Sequence, residues 1–298
     1  MNILSVGELL WDVFGEQEFL GGAPLNFSVA SQRLENPAIF LTGIGADRLG
    51  TQAIQSMEAL SLTTCFVQVV LDFLTGIAKV TTDAAGNASF VIPRPAAFDC
   101  VRLDGPRLTA IRDTHPDWLY FGTLAQTNPQ SEGILQQLVA AMPDVKCFYD
   151  INLREGHWDL PLVQRLSRMA SIVKLNDSEA ETLYAMDCPS LPFSLVEFCR
   201  YWSSAYGIDM LCVTLGSQGC SIWAEGKLER FAGYSVKVVD TVGAGDAFSA
   251  AFLHGVQLQW PMERIGAFAN AVGAIVASRA GATPDWTPDD CVQLMAAQ

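Results

Sequence analysis

Six short apolar runs, Ile3–Val6, Ile39–Thr42, Trp118–Gly122, Val145–Tyr149, Ile172–Leu175 and Met210–Thr214, recur along this chain with helical stretches between them. Strands covered on both faces read as unbroken apolar runs. The pattern therefore predicts an α/β fold, with a mainly parallel central sheet and helices on both faces. In such folds ligands bind outside the carboxyl ends of the strands. With 298 residues, 50% of them hydrophobic, the chain has material for one large core. No repeat, low-complexity tract or linker divides it, so residues 1–298 read as a single domain. Two segments break the alternation. Residues at about 10–20 and 75–98 carry short alternating runs around turn signals, Gly15-Glu16 and Asp83 to Asn87, and read as hairpin-like strands. By pattern they fit an edge hairpin of the main sheet and a small sheet of their own equally well.

The stretch Tyr234–Gly255 carries the chemistry. β-branched residues run into Val239 and Asp240, a Gly-Ala-Gly turn follows, and an apolar helix is predicted to open at Asp246. The N–H groups of Gly243, Ala244, Gly245 and Asp246 would lack intrahelical acceptors, and the helix dipole favours an anion there. An anion hole with a carboxylate beside it points to phosphoryl transfer, the carboxylate accepting a proton from an attacking hydroxyl. A plain helix cap accounts for Asp246 as well.

Charge and composition narrow the partners. A formal net charge of −14 opposes binding to nucleic acid or to an anionic membrane surface. Eight cysteines are scattered without a CxxC pair and there are three histidines, so neither a zinc site nor a disulfide framework is indicated, which fits a cytoplasmic protein. The start, MNILSVGELL, has no basic leader, and Ala267–Ser278 is too short to span a bilayer. Asn-x-Ser matches at Asn26, Asn87 and Asn176 then read as chance. In GIGADRLG the third glycine of a dinucleotide fingerprint would fall on Arg48, and no P-loop occurs.

Several smaller features allow two readings each. Asp12 lies just past the first strand, and Gly21-Gly22 would let a polyol approach the backbone, yet GGAP is also an ordinary strand–helix turn. Arg94 sits between two prolines, a stiff mount for a cation aimed at substrate. Arg154, in the D-x-N-x-R run from Asp150, follows a strand and could meet a carboxylate, a phosphate or a sugar hydroxyl. Asn176 and Glu179 suit a helix cap and first turn. Thr214 to Gly219 suits a β-turn, and Asn270 lies in a small-residue helix.

The run DTVGAGDAFSAAF, residues 240–252, resembles the signature of the ribokinase-like (PfkB) carbohydrate kinases, in which the Asp of GAGD is the catalytic base. The GG-x-x-x-N pattern at Gly21, Gly22 and Asn26, with Asp12 upstream, resembles the family's first signature, and the likeness extends from Gly7 to Pro284. It implies a ribokinase-like fold with the 10–20 and 75–98 segments as a small β-sheet lid. It implies Asp246 as base, with the amides of Gly243, Ala244 and Gly245 as anion hole. Sugar binding falls to Asp12, Gly21, Gly22, Asn26, Arg94 and Arg154, and nucleotide binding to Asn176, Thr214, Gly216, Gly219 and Asn270. ATP and Mg2+ are the implied cofactors, Glu179 acting on magnesium through water. Asp240 and the loop after Gly281 align with a monovalent-cation site of some members, so potassium is a further implied ion. The implied partners are a small sugar and ATP, and an exposed lid face would offer a homodimer contact. GELLWDVFGE, GGAPLNF, PAAFD and INLREGHW look like fructokinases; a 2-keto-3-deoxygluconate kinase, with Arg154 against the acid's carboxylate, or another ribokinase-like sugar kinase, is the alternative.

Overall fold

The computed structural model describes residues 1–82 and 88–297; the turn expected at Asp83 to Asn87 lies outside them. The strands are β1 (Ile3–Val6), β2 (Leu10–Phe14), β3 (Gln17–Gly21), β4 (Ala38–Gly45), β5 (Val67–Val70), β6 (Gly76–Thr82), β7 (Ala88–Val91), β8 (Trp118–Gly122), β9 (Lys146–Asp150), β10 (Ile172–Asn176), β11 (Met210–Thr214), β12 (Cys220–Ala224) and β13 (Lys227–Phe231). Nine of them form the large sheet, in the order β13-β12-β11-β10-β9-β8-β1-β4-β5. From β11 to β5 every pairing is parallel, and β12 and β13 add an antiparallel edge. The expected parallel sheet is thus the observed one.

The segments at 10–20 and 75–98 form a second, four-stranded sheet, β3-β2-β6-β7, rather than an edge hairpin of the first. Its central pair, β2 with β6, is parallel, and the flanking pairs are antiparallel. Strands β5, β12 and β13 were not anticipated. β5 is short and only partly buried, and β12–β13 turn through Glu225 and Gly226, both at positive φ. That two-residue Glu-Gly turn was the signal available for the hairpin.

Neighbouring residues of the central strands serve opposite faces, as the period-two geometry of a strand requires. On one face Phe27 stacks on Tyr120 (centroids 3.6 Å apart) and Phe148 meets Phe252 (6.2 Å). On the other, Phe121 stacks on Tyr149 (5.2 Å) in a cluster that includes Trp202. Helices Ala23–Arg33, Ala244–Gln257 and Met262–Ala277 pack on the first face. Among the described residues no helix is long and apolar enough to cross a membrane.

Two boundaries differ from expectation around the key stretch. Helix Ala244–Gln257 begins two residues before Asp246, because Gly243, at φ 77°, takes the left-handed cap position that only glycine adopts without strain. The β-branched residues before it form no strand. Instead Val239 N and Asp240 N both donate to Ala277 O (2.9 and 3.2 Å), pinning a loop to the end of helix Met262–Ala277.

Asp47 couples the two sheets. As N-cap of helix Arg48–Ala59 its carboxylate accepts from Gly50 N (2.7 Å), and it also accepts from Thr75 N (2.8 Å) and Thr75 Oγ1 (2.7 Å), just before β6. Replacing it with alanine removes a cap and leaves donors of the buried Thr75 unpaired. Asp47→Ala is expected to cost about 2–3 kcal/mol of stability. Urea unfolding checks this as a lower midpoint at unchanged slope.

Candidate functional site

A cleft of about 310 Å³ lies between the carboxyl edge of the parallel strands and the four-stranded sheet. Its lining draws Glu8 from the connection after β1, Asp12 and Phe14 from β2, and Gly22 and Asn26 from the turn and first coils of helix Ala23–Arg33. Asp150 ends β9, with Asn152 and Arg154 after it; Lys174 and Asn176 lie at the end of β10, with Glu179 after it; and Gly243, Gly245 and Asp246 open helix Ala244–Gln257.

Asp246 is buried, and its Oδ2 accepts from Asn26 Nδ2 at 2.8 Å. That bond fixes the carboxylate between two helix starts. The helix geometry leaves the N–H groups of Gly245 and Asp246 without intrahelical acceptors, whereas Ala244 N–H is turned toward Thr241 O (3.3 Å). Burial, reinforced by the charge of Asp150, pushes the Asp246 carboxyl up to about 6, against the opposing pulls of Lys174, Asn26 and Arg154. Burial likewise pushes Glu8 up to about 7 and Asp12 up to about 6, with Arg154 opposing both shifts. The cleft therefore holds carboxyls that can carry or release a proton near neutrality, the property a general base requires.

A buried ion pair underlies the helix start. Lys174 Nζ lies 3.0 Å from Asp150 Oδ2 and 3.2 Å from Oδ1. Asp150 Oδ2 also accepts from Ser249 Oγ (2.8 Å) and Tyr120 OH (3.1 Å). Burial works most strongly against the Lys174 charge, but Asp150, Asp246 and Glu179 together outweigh it and the ammonium titrates above the usual lysine range. Glu179 is held by Leu153 N (2.7 Å) and Asn176 N (2.8 Å), and Asn176 Oδ1 accepts from Glu179 N (2.8 Å), a complete capping box. Burial raises the Glu179 carboxyl despite those bonds.

Of the residues singled out in the sequence, the structure brings Asp12, Gly22, Asn26, Arg154, Asn176, Glu179, Thr214, Gly243, Gly245 and Asp246 to one cleft. Others lie outside its lining. The Arg94 guanidinium is engaged by Asp99, Leu124 O (2.6 Å) and Thr127 Oγ1 (2.6 Å) and faces the Phe98 ring, so it is a structural tie here rather than a cation aimed at the cleft. Gly21 ends β3, where a Cβ would meet Asp12 Oδ2 at 2.8 Å. Gly216 and Gly219 shape the turn between β11 and β12, and Gly219 has no room for a side chain against Phe231 O. The Asn270 amide donates to Phe231 O (3.2 Å) and Ala232 O (3.0 Å). Asp240 accepts from Val242 N (3.0 Å) and Gly281 N (3.1 Å), joining the two loops beside Gly243.

Sequence reasoning did not single out Glu8, Asp150 or Lys174. A signal existed for the lysine. It interrupts the apolar run Ile172–Leu175 in a strand buried on both faces, where a charge needs a partner.

With this geometry in place, comparison with known proteins is informative. The chain belongs to the pfkB family of carbohydrate kinases, whose profile matches residues 4–289. It is therefore a sugar kinase. Fructokinase-1 of Oryza sativa subsp. japonica is 30% identical over 278 residues, spanning 89% of this chain and 84% of the rice protein. Among solved structures, a fructokinase with bound ATP from Xylella fastidiosa has a TM-score of 0.87 at 22% identity, covering 99% of this chain and 98% of that one. A fructokinase from Vibrio cholerae O395 in a fructose, ADP and calcium ion bound form has a TM-score of 0.82 at 23% identity, with 99% and 98% covered.

The raised Asp246 carboxyl has a consequence for stability. The folded chain holds this proton more tightly than the unfolded chain, so the group's contribution is full below the ordinary carboxyl range. It is lost as pH rises through about 6. Asp246→Asn removes the buried charge while keeping an oxygen for Asn26. It should raise the unfolding free energy by about 1–3 kcal/mol at about pH 8, the gain fading toward about pH 4. Thermal unfolding of both proteins across that range checks the sign, and a variant less stable at both ends would contradict it.

Proposed function

We infer that this protein is an ATP-dependent kinase that phosphorylates a sugar hydroxymethyl group, with D-fructose converted to fructose 6-phosphate as the leading reaction. The observation that carries the reading is Asp246, a buried carboxylate held by Asn26 beside the open amides of a helix start. Support for ATP and fructose comes from the relatives whose crystals contain them.

In this reading the sugar lies between Asp12, Asn26 and Asp246, all of which line the cleft. Asn26 holds one oxygen of Asp246, leaving the other to accept the proton of the attacking hydroxyl. The amides at Gly243, Gly245 and Asp246 meet the phosphoryl oxygens, and absence of a side chain at Gly245 keeps that approach open: a Cβ there would lie 3.3 Å from Lys174 Nζ. Asn176 and Thr214 border the same cleft from β10 and β11, on the nucleotide side.

Among the described residues no three His, Cys, Asp or Glu side chains converge as a metal cage. The donors present fit magnesium, which keeps several waters and needs one or two carboxylates besides phosphate oxygens; Glu179 is the carboxylate we assign, acting through water. When bound, that ion neutralises developing charge on the phosphates. A monovalent cation would fall beside Asp240, where the carboxylate already organises the surrounding backbone. A homodimer through the four-stranded sheet belongs to the same reading, because Phe14, Phe19 and Val91 are exposed on it.

Arg154 keeps the 2-keto-3-deoxygluconate alternative in view. It shares its end of the cleft with Glu8 and Asp12, whose carboxyls it influences. Arg154 acts on these carboxyls at longer range than an ion pair, so the choice between a neutral sugar and the keto acid falls to turnover on each.

ADP release measured against fructose, ribose, glucose and 2-keto-3-deoxygluconate should show strongest turnover on fructose. Preference for the keto acid would instead make Arg154 its carboxylate partner. Asp246→Asn should lower kcat by about a hundredfold or more with little change in KM for the sugar. In the native protein kcat should fall as pH drops below about 6, since the base must be ionised. Full turnover in the variant would remove Asp246 from the role.

A further inference from the structure

We propose that Lys174 is a catalytic residue of this kinase, its ammonium group being the fixed cation that meets the transferring phosphoryl group beneath the first turn of helix Ala244–Gln257. The inference rests on the phosphoryl-transfer reading and adds to the backbone amides a charge those amides lack.

The geometry is specific. Lys174 lies on β10 directly beside Asp150 of β9 in the parallel register, two residues before Asn176, at the carboxyl edge of the sheet. An ammonium has three donors in tetrahedral directions. Lys174 Nζ spans both oxygens of Asp150 and, among the described residues, has no other hydrogen-bond acceptor. Donor capacity remains, and the group lines the cleft. It is also the atom a Cβ on Gly245 would approach, so it lies against the same stretch of backbone as the open amides.

The partner is built to hold the lysine still. Asp150 Oδ2 accepts from Ser249 Oγ and Tyr120 OH in addition to Lys174. Three elements besides its own strand therefore fix this carboxylate, and the ammonium on it is preorganised. A buried ion pair sealed in a core gains little over apolar residues of the same size, whereas one that opens on a cleft retains a charge for a ligand.

Electrostatics point the same way. The cleft lining carries the carboxyls of Glu8, Asp12, Asp150, Glu179 and Asp246, against Lys174 and Arg154 as its cations. A polyphosphate entering so acidic a place needs positive charge. Arg154 acts on Glu8 and Asp12 and, less than Lys174 does, on Asp246. Lys174 is at the helix start.

Lys174→Met alone would leave Asp150 buried and unpaired and could fail to fold. The informative set is therefore Lys174→Met with Asp150→Asn in one chain, Asp150→Asn alone, and the native protein, each first checked by thermal unfolding. The double variant should bind fructose as the native protein does. Its affinity for a non-hydrolysable ATP analogue with Mg2+, which presents the γ-phosphate, should fall by about tenfold or more by calorimetry, the worth of one charge-assisted contact, and its kcat by about a hundredfold. Asp150→Asn alone, which keeps the ammonium, should retain most of the nucleotide affinity. A folded double variant with native affinity for the ATP analogue and native kcat would overturn the assignment, as would an equal loss in Asp150→Asn alone. If the native protein released no ADP with any sugar, the phosphoryl-transfer reading would fail instead, while the affinities for the ATP analogue would still decide whether Lys174 binds phosphate.

Discussion

The carboxylate of Asp150 is the point on which the site depends. It is buried at the end of β9, and its hydrogen bonds come from Tyr120 on β8, Lys174 on β10 and Ser249 on helix Ala244–Gln257. A buried carboxylate is tolerated only when its oxygens are satisfied and its charge is answered, and here both conditions are met by three different elements. The consequence is positional. Ser249 sits one helical turn after Gly245, to whose carbonyl it also donates (2.9 Å), so the helix start is held in register with the sheet edge.

That registration lets Asp246 be both buried and useful. Its shift up to about 6 is an energetic cost to the folded state at neutral pH, arising from burial and from the neighbouring Asp150 charge. A site designed for stability alone would place an apolar residue there. The Asn26 bond and the Lys174 charge limit the shift, leaving the carboxyl ionised at neutral pH yet basic enough to take a proton. Strain of this kind is a usual signature of an active site.

Much of the architecture was legible because strands buried on both faces write themselves as apolar runs. Ile3–Val6, Trp118–Gly122 and Met210–Thr214 match their strands residue for residue. The edge strands β5 and β13 were not, since half-exposed strands mix polar and apolar residues and lose the pattern. The 10–20 and 75–98 segments could be read as strands, but which sheet they join is decided by the β2–β6 pairing across more than sixty residues of chain, which no local pattern contains. In the site, glycine-rich turns and helix starts advertised Gly22, Asn26, Gly243 and Asp246. Arg94 misled because proline neighbours stiffen a backbone without fixing where the side chain points; Asp99, five residues on, claims it.

Lys174 and Asp150 show the remaining limit most clearly. Each is an ordinary residue at a strand end, and neither spacing nor composition joins them, because they are 24 residues apart and meet only when β9 and β10 pair. Once paired they are no longer separable from the helix start, since Ser249 bonds the same carboxylate and Lys174 lies against Gly245. In the proposed site, the open amides of the helix start that local sequence announces are therefore joined by a charge that only the sheet supplies. The two halves of the site come from different levels of the structure, a turn written in consecutive residues and an ion pair written in the topology.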